Sequence, residues 1–69
     1  MKLSARNMLK GKVKSVNVGP VNAEVVIEIA GGVQVVAIIT KTSADSLGLA
    51  AGKDAYAVIK ASAVMVAVD

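Results

Sequence analysis

Two short stretches hold most of the residues that could do chemistry in this chain: Ser4-Ala5-Arg6-Asn7 near the start and Lys60-Ala61-Ser62 near the end. Each sets a cation and a hydroxyl around a small alanine. Arg6 offers a planar fork of donors that is never deprotonated, Ser4 and Ser62 add hydroxyls, and Lys60 adds an ammonium. Ala5 and Ala61 are small enough to let an oxygen ligand approach the backbone. Together the two stretches read as complementary halves of a site for one doubly charged oxyanion, with backbone N–H groups completing the donor shell. The same residues also read as a solvated strand entry and as a surface lysine followed by a turn serine. Residue types alone leave both readings standing.

Other chemistries lack their residues. The chain has no cysteine and no histidine, which removes disulfides, thiolate and imidazole catalysis and the usual zinc or copper sites. The carboxylates Glu24, Glu28, Asp45, Asp54 and Asp69 fall in no acid–base motif, and a serine nucleophile would have no imidazole partner. A binding protein is expected, not an enzyme. Gly31-Gly32 lacks the spacing of a phosphate loop and reads as a hairpin connection. Thr40-Lys41-Thr42-Ser43 groups hydroxyls with a cation ahead of a helical turn. A helix cap and an anion contact use the same N–H groups, so this stretch supports either.

The elements that must position these residues are mostly strands. Leu9 to Val18 alternates, but Leu9, Gly11 and Val13 have the opposite parity from Val16 and Val18, which calls for a bulge near Lys14 or Ser15. Lys10, Lys12 and Lys14 form an outward row. After the Gly19-Pro20 turn, Asn22 to Ile29 is a second strand with Ala23, Val25, Ile27 and Ile29 inward and Glu24 and Glu28 outward. Val33 to Thr40, the third, is apolar on both faces, and the second face needs another subunit to cover it. A short helical turn over Thr42-Ser43-Ala44-Asp45, closed by Gly48, leads through the Gly52-Lys53-Asp54 turn to a fourth strand, Ala55 to Lys60, carrying the sole aromatic, Tyr56. Val64 to Val68 is expected as a fifth. The sum is an all-β, single-domain, five-stranded OB-like Greek-key barrel with one short helical turn. An open sandwich or an SH3-like barrel fits the same strand pattern.

A domain of 69 residues buries only about 60% of the surface of its unfolded chain. Yet 55% of the residues are hydrophobic and the mean hydropathy is +0.66, more apolar material than one such core absorbs. No apolar run approaches the roughly 20 residues of a membrane span, so self-association in the cytoplasm is expected to cover the surplus. The net charge of +3 favours anions, small oxyanions or nucleic acid alike. Base-stacking platforms are nearly absent, because Tyr56 is the only aromatic, and this argues against the single-strand nucleic-acid binding that the fold otherwise serves.

Ser4-Ala5-Arg6-Asn7, Leu9-Lys10-Gly11-Lys12-Val13, Ala23-Glu24-Val25, Ile27-Glu28-Ile29, Gly31-Gly32 and Tyr56-Ala57-Val58-Ile59-Lys60-Ala61-Ser62 with Val64-Met65 together resemble the molbindins, small cytoplasmic molybdate-binding proteins of bacteria. The likeness runs over nearly the whole chain. It implies an OB-type barrel assembled as a homohexamer, a trimer of dimers, that stores molybdate or tungstate at subunit interfaces without catalysis. For the site between two subunits it implies Ser4, Ala5, Arg6, Lys60, Ala61 and Ser62, with the segment around Val21 and Asn22 nearby. For a second kind of site near the symmetry axis it implies Thr40, Lys41 and Thr42. Ser62 stands where several relatives carry Thr, which keeps the hydroxyl, and Lys41-Thr42 departs from the usual hydroxyl-rich pattern with an apolar residue. The alternatives are a small OB-type nucleic-acid-binding domain and a purely structural oligomerisation module.

Overall fold

Alternation of apolar and polar residues becomes four strands in the computed structural model, which describes residues 1–69. The strands are β1 (Asn7–Val18), β2 (Asn22–Ile29), β3 (Gln34–Thr40) and β4 (Asp54–Ile59). One helix, α1 (Lys41–Ser46), joins β3 to β4, and single 3-10 turns cover Ala30–Gly32 and Ala61–Ala63. All pairings are antiparallel and the order across the sheet is β3-β2-β1-β4. Three hairpin-connected strands followed by a fourth that returns beside the first make a Greek key. No helix is long and apolar enough to cross a membrane.

The long strand β1 carries the architecture, because its first half pairs with β4 and its second half with β2. Its change of parity is resolved by a bulge: Val13 faces Ile27, Ser15 faces Val26, and Lys14 is the extra residue between them. The bulge keeps Val13 and Val16 on the same side despite their spacing. Val13, Val25, Ile27 and Ala57 then form the buried centre, with Val16, Ile29, Val35, Ala37, Ile39, Leu49 and Ala55 packed around it. At Gly11 β1 runs so close to β2 that a Cβ would collide with the Glu28 carbonyl oxygen. Only glycine fits there.

The helix starts one residue earlier than the hydroxyl cluster suggested, because Thr40 is its cap. The Thr40 Oγ1 accepts from the Ser43 N–H at 3.0 Å and donates to the Ser43 hydroxyl at 2.8 Å. Gly48, at φ +61, ends the turn in the left-handed region. Lys53 donates its ammonium to the carbonyls of Leu47 and Gly48, and the loop is laced to the bulged strand by Val13 N–H to Lys53 C=O at 2.9 Å and Gly52 N–H to Val13 C=O at 2.8 Å.

The expected fifth strand over Val64 to Val68 is not formed. The 3-10 turn at Ala61–Ala63 carries the chain off the sheet after β4, and no strand edge of the same chain pairs with residues 64 to 69. Those residues therefore project, with Met65, Val66 and Val68 about nine-tenths exposed. The sheet consequently stays open. The outer edges of β3 and β4 have no partner, and the gap they leave is an apolar groove of about 570 Å³ whose lining includes Val25, Val35, Ile39, Leu49, Tyr56 and Ile59.

Burial is correspondingly slight. Six of 69 residues are buried, and Val36 and Ile38 on the outer face of β3 are about 60% exposed. The accessible surface is 5296 Å², against roughly 4000 Å² for a compact monomer of this mass.

Two substitutions check these contacts. Gly11→Ala is expected to lower unfolding free energy by about 2–3 kcal/mol, since the collision is with backbone and cannot be relieved by a rotamer change. Thr40→Ala is expected to cost about 1 kcal/mol through the lost cap. Urea denaturation at fixed protein concentration measures both.

Candidate functional site

The end of β4 and the start of β1 are brought together by a ladder that terminates in the pair Asn7–Ile59. Arg6 and Lys60 lie one step beyond that last rung. Strand parity turns Arg6 and Met8 outward together with Val58 and Lys60, while Ala57 on the opposite face belongs to the core. The 3-10 turn at Ala61–Ala63 then folds Ala61 and Ser62 back toward the N-terminal segment, held by the Ala63 N–H donating to the Lys60 C=O at 2.9 Å.

The result is an open depression lined by Ser4, Ala5, Arg6, Val58, Lys60, Ala61 and Ser62. All six residues expected from the two sequence stretches line it. Val58 was not among them. Its signal was available in the sequence, since it shares the parity of Lys60 along β4.

The chemistry of the lining is one-sided. Two cations and two hydroxyls meet there, and no carboxylate does. Neither Ser4, Arg6, Lys60 nor Ser62 makes a side-chain hydrogen bond or ion pair within the chain, whereas Lys12 and Lys14 are paired with Asp54 at 2.7 Å and Glu28 at 3.2 Å. The hydrogen bond and charge of Lys12, with a smaller contribution from the charge of Lys10, hold the Asp54 carboxyl below its ordinary range. The acids nearest the site along the ladder are thus matched elsewhere. At about 550 Å³ the depression is open and far wider than a single tetrahedral oxyanion, so the chain by itself does not enclose one.

Val21 and Asn22 are not in that wall. They sit at the other end of the 12-residue β1, where Asn22 pairs with Thr40 and the Lys41 N–H donates to the Val21 C=O at 2.8 Å. Within the chain they neighbour Thr40, Lys41 and Thr42, away from Arg6. The Thr40 hydroxyl is already engaged as a cap, which leaves the Lys41 ammonium and the Thr42 hydroxyl as the free side-chain donors of that group.

A family model described as the TOBE domain matches residues 3–66. Molybdenum-pterin-binding protein 3 of Clostridium pasteurianum is 53% identical over 66 residues, covering 96% of this chain and 97% of its own length. Among solved structures, MopII from Clostridium pasteurianum, in an apo form, superposes with a TM-score of 0.92 at 46% identity, over 97% of this chain and all of its own. The cytoplasmic molybdate-binding protein ModG, solved with molybdate bound, superposes with a TM-score of 0.85 at 48% identity, over 88% of this chain and 43% of its own. With a matching domain model, half-identical relatives of the same length and the same curled antiparallel sheet, the chain belongs to the TOBE-domain family as a small molbindin-type protein.

Proposed function

We propose that this protein binds molybdate or tungstate at seams between copies of itself, and so stores or buffers the oxyanion in the cytoplasm without catalysis. The observation that carries the reading is the depression at the β1–β4 end, where Arg6, Lys60, Ser4 and Ser62 meet with no carboxylate and no internal partners. Molybdate at neutral pH is a tetrahedral dianion with four acceptor oxygens and no proton to give, so it needs a shell of donors only. Arg6 and Lys60 offset its two charges, the hydroxyls of Ser4 and Ser62 orient it, and Ala5 and Ala61 leave room at the backbone. The names of the relatives, molybdenum-pterin-binding and molybdate-binding proteins, agree with that ligand class.

The open depression calls for a second wall, and the open sheet calls for a second copy. We infer that the apolar segment after Ala63 supplies the fifth strand to a partner, lying in the groove between β3 and β4, so that Val64, Met65, Val66 and Val68 leave water while two free edges gain a neighbour. Such pairs would associate further through Val36 and Ile38 into a homohexamer, a trimer of dimers. In that assembly Val21 and Asn22 of one copy reach the depression of another, and Lys41 and Thr42, with Thr40, mark a second oxyanion position near the symmetry axis. Nucleic-acid binding is the weaker reading, because Tyr56 is the only stacking platform.

Calorimetric titration tests the ligand. Arg6→Ala and Lys60→Ala are each expected to weaken molybdate binding about 10- to 100-fold, the scale of a lost charge-assisted hydrogen bond. Unchanged affinity in both variants would sink the assignment. Molybdate at about 100 times its dissociation constant should stabilise the native state by about 2.7 kcal/mol, seen as a higher Tm. Truncation after Ala63 should abolish the assembly in size-exclusion chromatography with light scattering; a truncated chain that keeps the native mass would refute strand donation.

A further inference from the structure

The cations of this chain are not deployed alike. Of the outward row on β1, Lys12 and Lys14 are neutralised locally by Asp54 and Glu28, and Lys53 is committed to the carbonyls that end α1. Lys10, the remaining member of the row, is exposed and makes no hydrogen bond or ion pair. Its register partner is Tyr56, while Val58 faces Met8 one rung nearer the site. Lys10 is therefore the diagonal neighbour of Val58, a separation of about 7–8 Å. Because Val58 lines the depression and shares its outward face with Lys10, four residues of strand put the Lys10 backbone about 13 Å from the Arg6–Lys60 end, and a lysine side chain leaning along the strand reaches to within about 10 Å of an anion held there. The closest acid on this face of the ladder, Asp54, lies one rung farther away and is matched by Lys12.

We propose that Lys10 is an electrostatic guide for the oxyanion site, hastening the arrival of a dianion without touching it once bound. The inference rests on reading the depression as an oxyanion site, and it concerns rate where that reading concerns affinity. A unit charge acting on a dianion across about 10 Å of water changes the encounter rate about threefold where the Debye length is ~30 Å, about 1.5-fold where it is ~8 Å, and negligibly where it is ~3 Å. Such an effect follows the number of charges and not the shape of the side chain. Reversal by Lys10→Glu should therefore act about as the square of neutralisation by Lys10→Gln, about sevenfold at the lowest salt.

The experiment measures association and dissociation rates of radiolabelled molybdate, captured on filters at timed delays, for the full-length assembled protein. Wild type is compared with Lys10→Gln, Lys10→Glu and the double variant Lys12→Gln with Asp54→Asn, which removes one charge of each sign. The expected result is a threefold and a sevenfold slower association at ~0.01 M salt for the two Lys10 variants, converging on wild type at ~1 M, with dissociation unchanged and the double variant like wild type. A faster dissociation that persists at high salt would make Lys10 a contact residue and overturn the proposal. So would a double variant as slow as Lys10→Gln, or association indifferent to Lys10. Wild-type protein that captures no molybdate would overturn the oxyanion reading itself, and the guide with it, whereas wild-type binding with indifferent Lys10 variants removes the guide alone.

Discussion

Like charges side by side at the end of a sheet ladder are the constraint around which this protein is arranged. The rung Asn7–Ile59 sets Arg6 and Lys60 next to each other at the mouth of one depression, and cross-strand neighbours of the same sign repel. A chain with five carboxylates had the means to relieve that repulsion with an acid at the next position. It does so elsewhere on the same face, where Lys12 meets Asp54 and Lys14 meets Glu28. Leaving one cationic pair unmatched while matching its neighbours is unfavourable for the chain alone, and under the proposed function a bound anion offsets it. That asymmetry is the physical content of the site, and it depends on the register of β1 against β4 more than on any single side chain.

The packing around that register is left open in the single chain. A buried centre of four residues, a sheet with two unpaired edges and a surface about 1300 Å² larger than expected for its mass leave the apolar tail and the apolar groove both open to water. The tail and the groove are complementary in chemistry. Since Ala61 and Ser62 lie between β4 and the tail, any partner that fixes the tail also fixes the second half of the donor set. Assembly and ligand binding would then act on the same few residues, so each stabilises the other by linkage.

How much of this was readable in the sequence divides along physical lines. Period-2 alternation separated the faces of β1 and marked the inward face of β2, and the parity break in β1 located the bulge to within a residue, because side-chain direction in a strand is set by local geometry. The six candidate residues were picked out by type and by resemblance, and the structure gathers them around one depression. Three things were not readable. The strand-like pattern of Val64 to Val68 carries no information on which chain will pair with it, and within one chain nothing does. The neighbourhood of Val21 and Asn22 depends on the β2–β3 hairpin packing against the start of α1, a tertiary contact. The contrast between bare Lys10 and paired Lys12 and Lys14 arises only when the register brings both Asp54 and Glu28 opposite Lys12, the bulge leaves Lys14 beside Glu28, and Tyr56 falls opposite Lys10.

Selectivity stems from the same one-sided chemistry. If the depression holds a metal oxyanion, a ligand that keeps a proton at neutral pH presents a donor to a wall of donors. A serine hydroxyl turned to accept that proton forfeits its own donation, and neither Arg6 nor Lys60 can accept at all. Hydrogen phosphate is therefore disfavoured by hydrogen-bond polarity, without any appeal to size. Sulfate is not, since it is as fully deprotonated and as highly charged as molybdate. Against sulfate the chain has only dimensions to work with, and the dimensions are set by how closely a second copy approaches Ala5 and Ala61. Under the proposed function, then, the donor set would decide the charge and protonation of the ligand, and the approach of a second copy would decide its size.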